Sequence, residues 1–204
     1  MPKLLPGENM KNKILKPSEW KALKENLIWY YQIIFDAMLH TGLRPDSEFW
    51  NFVDHPEWYE NGIIFLPSIP GIQQARTVRL SIEGRNAVQI LIKTISQYNR
   101  KGRQNMRDAL HRAALGITMV PRFDENGKRK LVSRPKIMDD VSGLSAETFR
   151  RTLTAWLVAC FPGKKFEILR SMGMDEEHFS QYTNNHFGLT RKDVSEARKL
   201  LKGW

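Results

Sequence analysis

From Trp20 to Met38 the chain carries apolar side chains at close to helical spacing: Trp20, Leu23, Leu27, Trp29, Tyr30, Ile33, Ile34, Ala37 and Met38. Gly42 closes the stretch and Pro45 follows three residues later, a strong stop. An amphipathic helix of this kind is stable in water only when its apolar face is covered, so the rest of the chain must supply a helical core around it. The 204 residues, 41% of them apolar, suit one domain and do not fit a disordered chain. Pro17-Ser18-Glu19 marks the helix start, with Ser18 as N-cap or Pro17 as first helical residue. Residues 1–16, basic and containing Pro2, Pro6 and Gly7, read as a flexible leader to a folded domain spanning 17–204.

Further along, a short helix should carry Phe49, Trp50 and Phe52 inward. The runs 63–66 and 77–80 are β-type and flank a Pro/Gly-rich turn, which predicts a small hairpin or three-stranded sheet. Ser81 or Ile82 opens a helix with Ala87, Val88, Leu91 and Ile95 on one face, and 105–115 reads as a basic helix. Asp124-Glu125-Asn126-Gly127 is a turn between basic flanks, consistent with a projecting hairpin or loop. Three or four helices, near 145–160, 163–172, 175–186 and 190–202, close the chain. The expected fold class is mainly α with a small antiparallel β-sheet (α+β).

The formal charge is +10, and most of the excess is local: from Arg100 to Lys136 there are eleven Lys/Arg against three acids, a net +8. Such an excess calls for a polyanionic partner, with nucleic acid first. Arg100, Lys101, Arg103, Arg107, Lys128, Arg129, Lys130, Arg134 and Lys136 are the candidate DNA contacts. The single cysteine, Cys160, sits in an apolar run and reads as a core residue of a cytoplasmic, reducing compartment. No apolar stretch reaches the roughly 18–20 residues of a membrane span. The histidines lack metal-ligand spacing and no phosphate-binding glycine loop occurs, so neither a metal nor any other cofactor is expected.

Three further positions bear on chemistry: Arg44 in Thr41-Gly42-Leu43-Arg44, Arg150 in Gly143-Leu144-Ser145-Ala146-Glu147-Thr148-Phe149-Arg150-Arg151-Thr152, and Tyr182. A tyrosine can break a phosphodiester without metal or water by storing the bond energy covalently, although its hydroxyl (pKa about 10) must lose its proton during attack. Arginine suits the transition state, being always charged and offering planar paired donors to the non-bridging oxygens.

The ordered set resembles the catalytic domain of tyrosine recombinases, the phage-integrase family. Thr41-Gly42-Leu43-Arg44 is similar to the family's first-arginine motif, with Glu48 near the supporting acid. The segment around Arg150 is similar to the second-arginine motif, with Glu147 at its first histidine position and Arg151 next in line. Met172-Gly173 and Gln181-Tyr182 match the stretch that ends in the nucleophile. The wording of 48–58 and of the tail 187–204 looks most like integrases of archaeal viruses and plasmids.

The resemblance implies a site-specific recombinase that cleaves and rejoins double-stranded DNA at att-like sites through a 3′-phosphotyrosyl intermediate. It implies Tyr182 as nucleophile, Arg44 and Arg150 as phosphate clamps, and self-association on DNA, with the C-terminal helix packing in cis or on a neighbouring protomer. The family's N-terminal core-binding domain has no counterpart in the few residues ahead of 17.

There are departures. No lysine lies between Trp50 and Ile92, where the family carries a hairpin lysine, so Arg76 is the stand-in. Met174 takes the place of a histidine or tryptophan, with His178 one helical turn further on as a substitute. Glu147 would repel a phosphate unless it pairs with Arg151 or serves as a base. These departures support an alternative reading, a degenerate recombinase-fold protein that binds DNA or regulates a partner. A nicking or topoisomerase-like use of the same tyrosine is a third.

Overall fold

A computed structural model describes residues 13–71, 74–94, 105–117, 119–123, 125–174 and 188–204. Helix α1 (Pro17–Asn26) takes Pro17 as its first residue, where the missing N–H costs no hydrogen bond. Lys16, not Ser18, stands outside it, and Lys16 N donates to Glu19 Oε2 at 2.8 Å. The apolar stretch is not one helix. Leu27 and Ile28 are extended, with ψ of 149° and 151°, and α2 (Trp29–Thr41) starts anew. Asn26 accounts for the break: its buried amide donates to the carbonyls of Ala113 (2.8 Å) and Pro135 (2.9 Å), drawing the end of α1 away from the α2 axis. The apolar spacing runs on across the break because both helices cover the same core.

Residues 13–16, placed in the leader by the sequence reading, lie among the described residues. Leu15 is fully buried; its N–H donates to Thr152 Oγ1 at 3.0 Å and its carbonyl accepts from Trp156 Nε1 at 2.9 Å. Both backbone groups of a buried residue are thereby satisfied, which a packed segment requires. The domain therefore begins ahead of Pro17.

After α2, a π-helical turn (Pro45–Phe49) leads into α3 (Trp50–Asp54), with Phe49 and Phe52 fully buried. Strands β1 (Tyr59–Glu60), β2 (Ile63–Leu66) and β3 (Arg76–Arg79) form an antiparallel sheet in the order β1-β2-β3. Ile64 pairs with Val78 and Leu66 with Arg76, so Arg76 shares the face on which Ile64, Leu66 and Val78 are buried. Helix α4 (Ile82–Thr94) buries Ala87, Val88 and Leu91 as its spacing predicts, and Ile95 lies outside the described residues.

Next come α5 (Met106–Ala114) and a second antiparallel pair, β4 (Met119–Phe123) and β5 (Arg129–Ser133), which is the expected basic hairpin. Then α6 (Glu147–Cys160), α7 (Lys165–Ser171) and α8 (Arg191–Leu200) follow. Cys160 is buried, as its apolar run predicts. The described chain is mainly helical with small antiparallel sheets, the expected α+β class.

Helix α6 is the hub. Phe149 lies against Trp20 edge-on (5.5 Å) and stacks on Phe35 (4.8 Å, 20°), tying α6 to α1 and α2. The C-terminal helix α8 packs on α6 of its own chain: Arg198 Nη2 donates to the Cys160 carbonyl at 2.9 Å, and Trp204 stacks on Phe161 at 5.6 Å. Among the described residues no helix is long and apolar enough to cross a membrane.

Trp156→Phe keeps most of the buried ring but strands the Leu15 carbonyl. The expected cost is about 1–3 kcal/mol, seen as a lower urea midpoint with an unchanged slope.

Candidate anion-binding site

Three guanidiniums from three distant segments converge beside α7. Three charged residues of the cluster sit next to a buried apolar one in the chain: Leu43 precedes Arg44, Phe49 follows Glu48, and Phe149 precedes Arg150. The core thus fixes each backbone, and the charged side chain is aimed by its neighbour's burial. Arg44 emerges just past α2, where Gly42 adopts φ 60° and its N–H donates to Met38 O at 3.1 Å. A Cβ on Gly42 would fall 2.2 Å from Met172 Cε and 2.9 Å from Leu153 Cδ2, so only glycine lets α2 end against α6 and α7.

Glu48 is the centre of the cluster, with its side chain wholly inaccessible to solvent. Its Oε2 accepts from Arg44 N (2.8 Å) and Arg76 Nη2 (2.6 Å), while Oε1 accepts from Arg76 Nε (3.0 Å) and Arg44 Nη1 (3.3 Å). Arg76 therefore grips the carboxylate as a fork, the strong geometry for this pair. Burial pushes the Glu48 pKa up, but the hydrogen bonds and charges of Arg76 and Arg44 outweigh it and hold the group below its ordinary 4.5. Arg150 Nη1 donates to Glu147 Oε1 at 3.1 Å. Burial lowers the Arg150 pKa and Glu147 opposes that, and the guanidinium stays charged at neutral pH.

Each arginine also donates to one of three consecutive carbonyls at the end of α7. Arg76 Nη1 reaches Ser171 O (2.6 Å), Arg150 Nη2 reaches Met172 O (2.8 Å), and Arg44 Nη2 reaches Gly173 O. Gly173 adopts φ 63°, which turns its carbonyl back toward the cluster. The side chains of Arg76 and Arg150 are each only 10% exposed, and that of Arg44 is 36% exposed. Among the described residues, three guanidiniums face two carboxylates here, so one positive charge has no carboxylate partner. Arg150 Nε is buried and has no acceptor among the described residues. A mostly desolvated cluster with a surplus cation and an unmatched donor is chemically suited to an anion.

Several sequence-level expectations change. Glu147 pairs with Arg150 rather than Arg151, because one helical turn separates positions 147 and 150 and carries both onto one face. Arg151 is half-buried on the same helix. Arg76, the expected stand-in for the hairpin lysine, donates to Glu48 and to the Ser171 carbonyl and closes the cluster. Met174 is partly buried against the core. Among the described residues, no lysine or histidine hydrogen-bonds into the cluster.

Tyr182, His178, Arg100, Lys101 and Arg103 lie outside the described residues. Arg107, Lys128 and Lys136 are exposed, Arg134 is half-buried, and Arg129 and Lys130 lie on β5. This basic set belongs to α5, the β4–β5 hairpin and the segment after it, elements apart from those that build the cluster. The carbonyls of 171–173 were missed from sequence, since backbone acceptors leave no mark in residue identity; only Gly173 hinted at a turn.

No protein-family model, no curated protein and no solved structure matches this chain.

Glu48→Gln leaves two guanidiniums facing a neutral amide, with an expected cost of about 3–5 kcal/mol at neutral pH. A carboxylate whose folded pKa is depressed contributes stability above its unfolded value, and that contribution is lost as pH falls through the folded pKa. Urea unfolding across the acid range should therefore show the gap between wild type and Glu48→Gln closing below the ordinary 4.5.

Proposed function

We propose that this chain is the catalytic domain of an integrase-type tyrosine recombinase, acting on double-stranded DNA. The observation that carries the reading is the cluster of Arg44, Arg76 and Arg150, with one positive charge unmatched and Arg150 Nε lacking an acceptor among the described residues. In this reading a phosphodiester anion supplies the missing charge, and its non-bridging oxygens take donors from Arg44 and Arg150. The Tyr182 hydroxyl attacks phosphorus and gives up its proton to water. The bond to the 5′-oxygen breaks, that oxygen is protonated by water, and a 3′-phosphotyrosyl bond remains. The reverse attack by a 5′-hydroxyl restores the DNA strand and the free phenol. Preorganised guanidiniums stabilise the charge on the pentavalent phosphorus without reorganising during the step. The exposed cations of α5 and the β4–β5 hairpin add phosphate contacts along the duplex.

One observation favours a second reading, a recombinase-fold protein that binds DNA without cutting it. Arg76, the strand cation, donates to both Glu48 oxygens and to the Ser171 carbonyl, and a guanidinium holds its proton too tightly to be a good general acid.

Incubation of wild type and Tyr182→Phe with nicked duplexes, without metal, followed by denaturing quench, separates the two. An adduct that maps to Tyr182 and disappears in the Phe variant is the expected result, and its absence from a folded, DNA-binding preparation leaves the second reading. In either case, if about six phosphates are neutralised, log K should fall with log salt at a slope near −5. A slope shallower than about −2 contradicts a phosphate-dominated interface.

A further inference from the structure

We infer that the anion site is held shut by the chain's own backbone, and that an entering phosphodiester displaces the turn 171–173. This rests on the phosphate-binding reading above and concerns the regulation of that same site. The carbonyls of Ser171, Met172 and Gly173 follow one another in the chain, and each accepts from a different arginine: Arg76, Arg150 and Arg44. Carbonyls at the end of a helix bear its partial negative charge, so they are the protein's own substitute for phosphate oxygens. With these acceptors in place the Arg76 and Arg150 side chains are each 10% exposed, too little for a phosphate to be bracketed between Arg150 and Arg44. Arg44, at 36%, is the guanidinium an anion meets first.

The exchange is chemically favourable and sterically open. A phosphodiester oxygen carries formal charge, and hydrogen bonds to an ionised acceptor are about twice as strong as those to a neutral carbonyl. Ser171 and Met172 border a cleft of about 240 Å³ that is also lined by Thr41, Arg79, Lys164 and Trp204, so the turn has unfilled volume beside it. The amides of the turn make local bonds, Met172 N to Ile168 O (2.9 Å), Gly173 N to Arg170 O (2.9 Å) and Met174 N to Leu169 O (3.0 Å), and the Met172 side chain is buried against Gly42, so displacing the turn moves that side chain too. Displacing it breaks these hydrogen bonds, which makes the movement measurable at individual amides.

The test is amide hydrogen exchange on the wild-type chain, with and without a saturating random-sequence duplex. Duplex affinity of a folded Arg44→Ala variant is measured alongside. The expected result is exchange at Met172, Gly173 and Met174 at least about tenfold faster in the bound state, against slower or unchanged exchange in α6. If binding depends on Arg44 but these amides exchange at the same rate or more slowly, the turn stays seated and this inference fails while the phosphate reading stands. Duplex binding that is absent, or indifferent to Arg44→Ala, removes the phosphate reading and this inference with it.

Discussion

The Glu48 carboxylate is buried beyond the reach of solvent, and such a charge is tolerated only when nearly all of its lone pairs are taken by cationic donors. Arg44 and Arg76 supply those donors through four contacts. Because Arg44 lies just past α2 and Arg76 on β3, one desolvated group ties the end of α2 to the small sheet. The same two arginines then reach Ser171 and Gly173, so the registration passes on to α7. Removing the charge would leave the guanidiniums without their shared acceptor and unlink three segments at once.

The aromatic core makes this polar knot possible. Phe149, held between Trp20 and Phe35, places the next residue, Arg150, at the edge of the core and not in solvent. Leu43 and Phe49 do the same for Arg44 and Glu48, and Met172 packs into the space that Gly42 leaves open. A cluster anchored this way on every side resists collapse onto its own charges. It keeps a cationic surplus that a looser set of surface arginines would lose to water and counterions. The same packing holds Arg76 in place, with its Nε and Nη2 forked on the Glu48 carboxylate and its Nη1 on the Ser171 carbonyl.

Much of this was legible in the residues alone. Helix ends at Gly42 and Pro17, the antiparallel pairs, the basic hairpin and the inward face of α4 follow from local periodicity and turn chemistry. So does the Arg44–Glu48 pair, which is four residues apart and meets through local geometry. The α1–α2 break was not legible, because its cause is an amide of Asn26 bonding to carbonyls 87 and 109 residues away.

The sequence by itself therefore determined a helical, basic domain with two spaced arginine motifs, since those properties reside in composition and in neighbours one or two turns apart. Tertiary structure alone decided that Arg76 closes on Glu48 across 28 residues, that it reaches Ser171 across 95, and that Arg44 reaches Gly173 across 129. Those partners are backbone carbonyls and a buried carboxylate. Their role depends on where the packed core brings them, and no spacing along the chain encodes it.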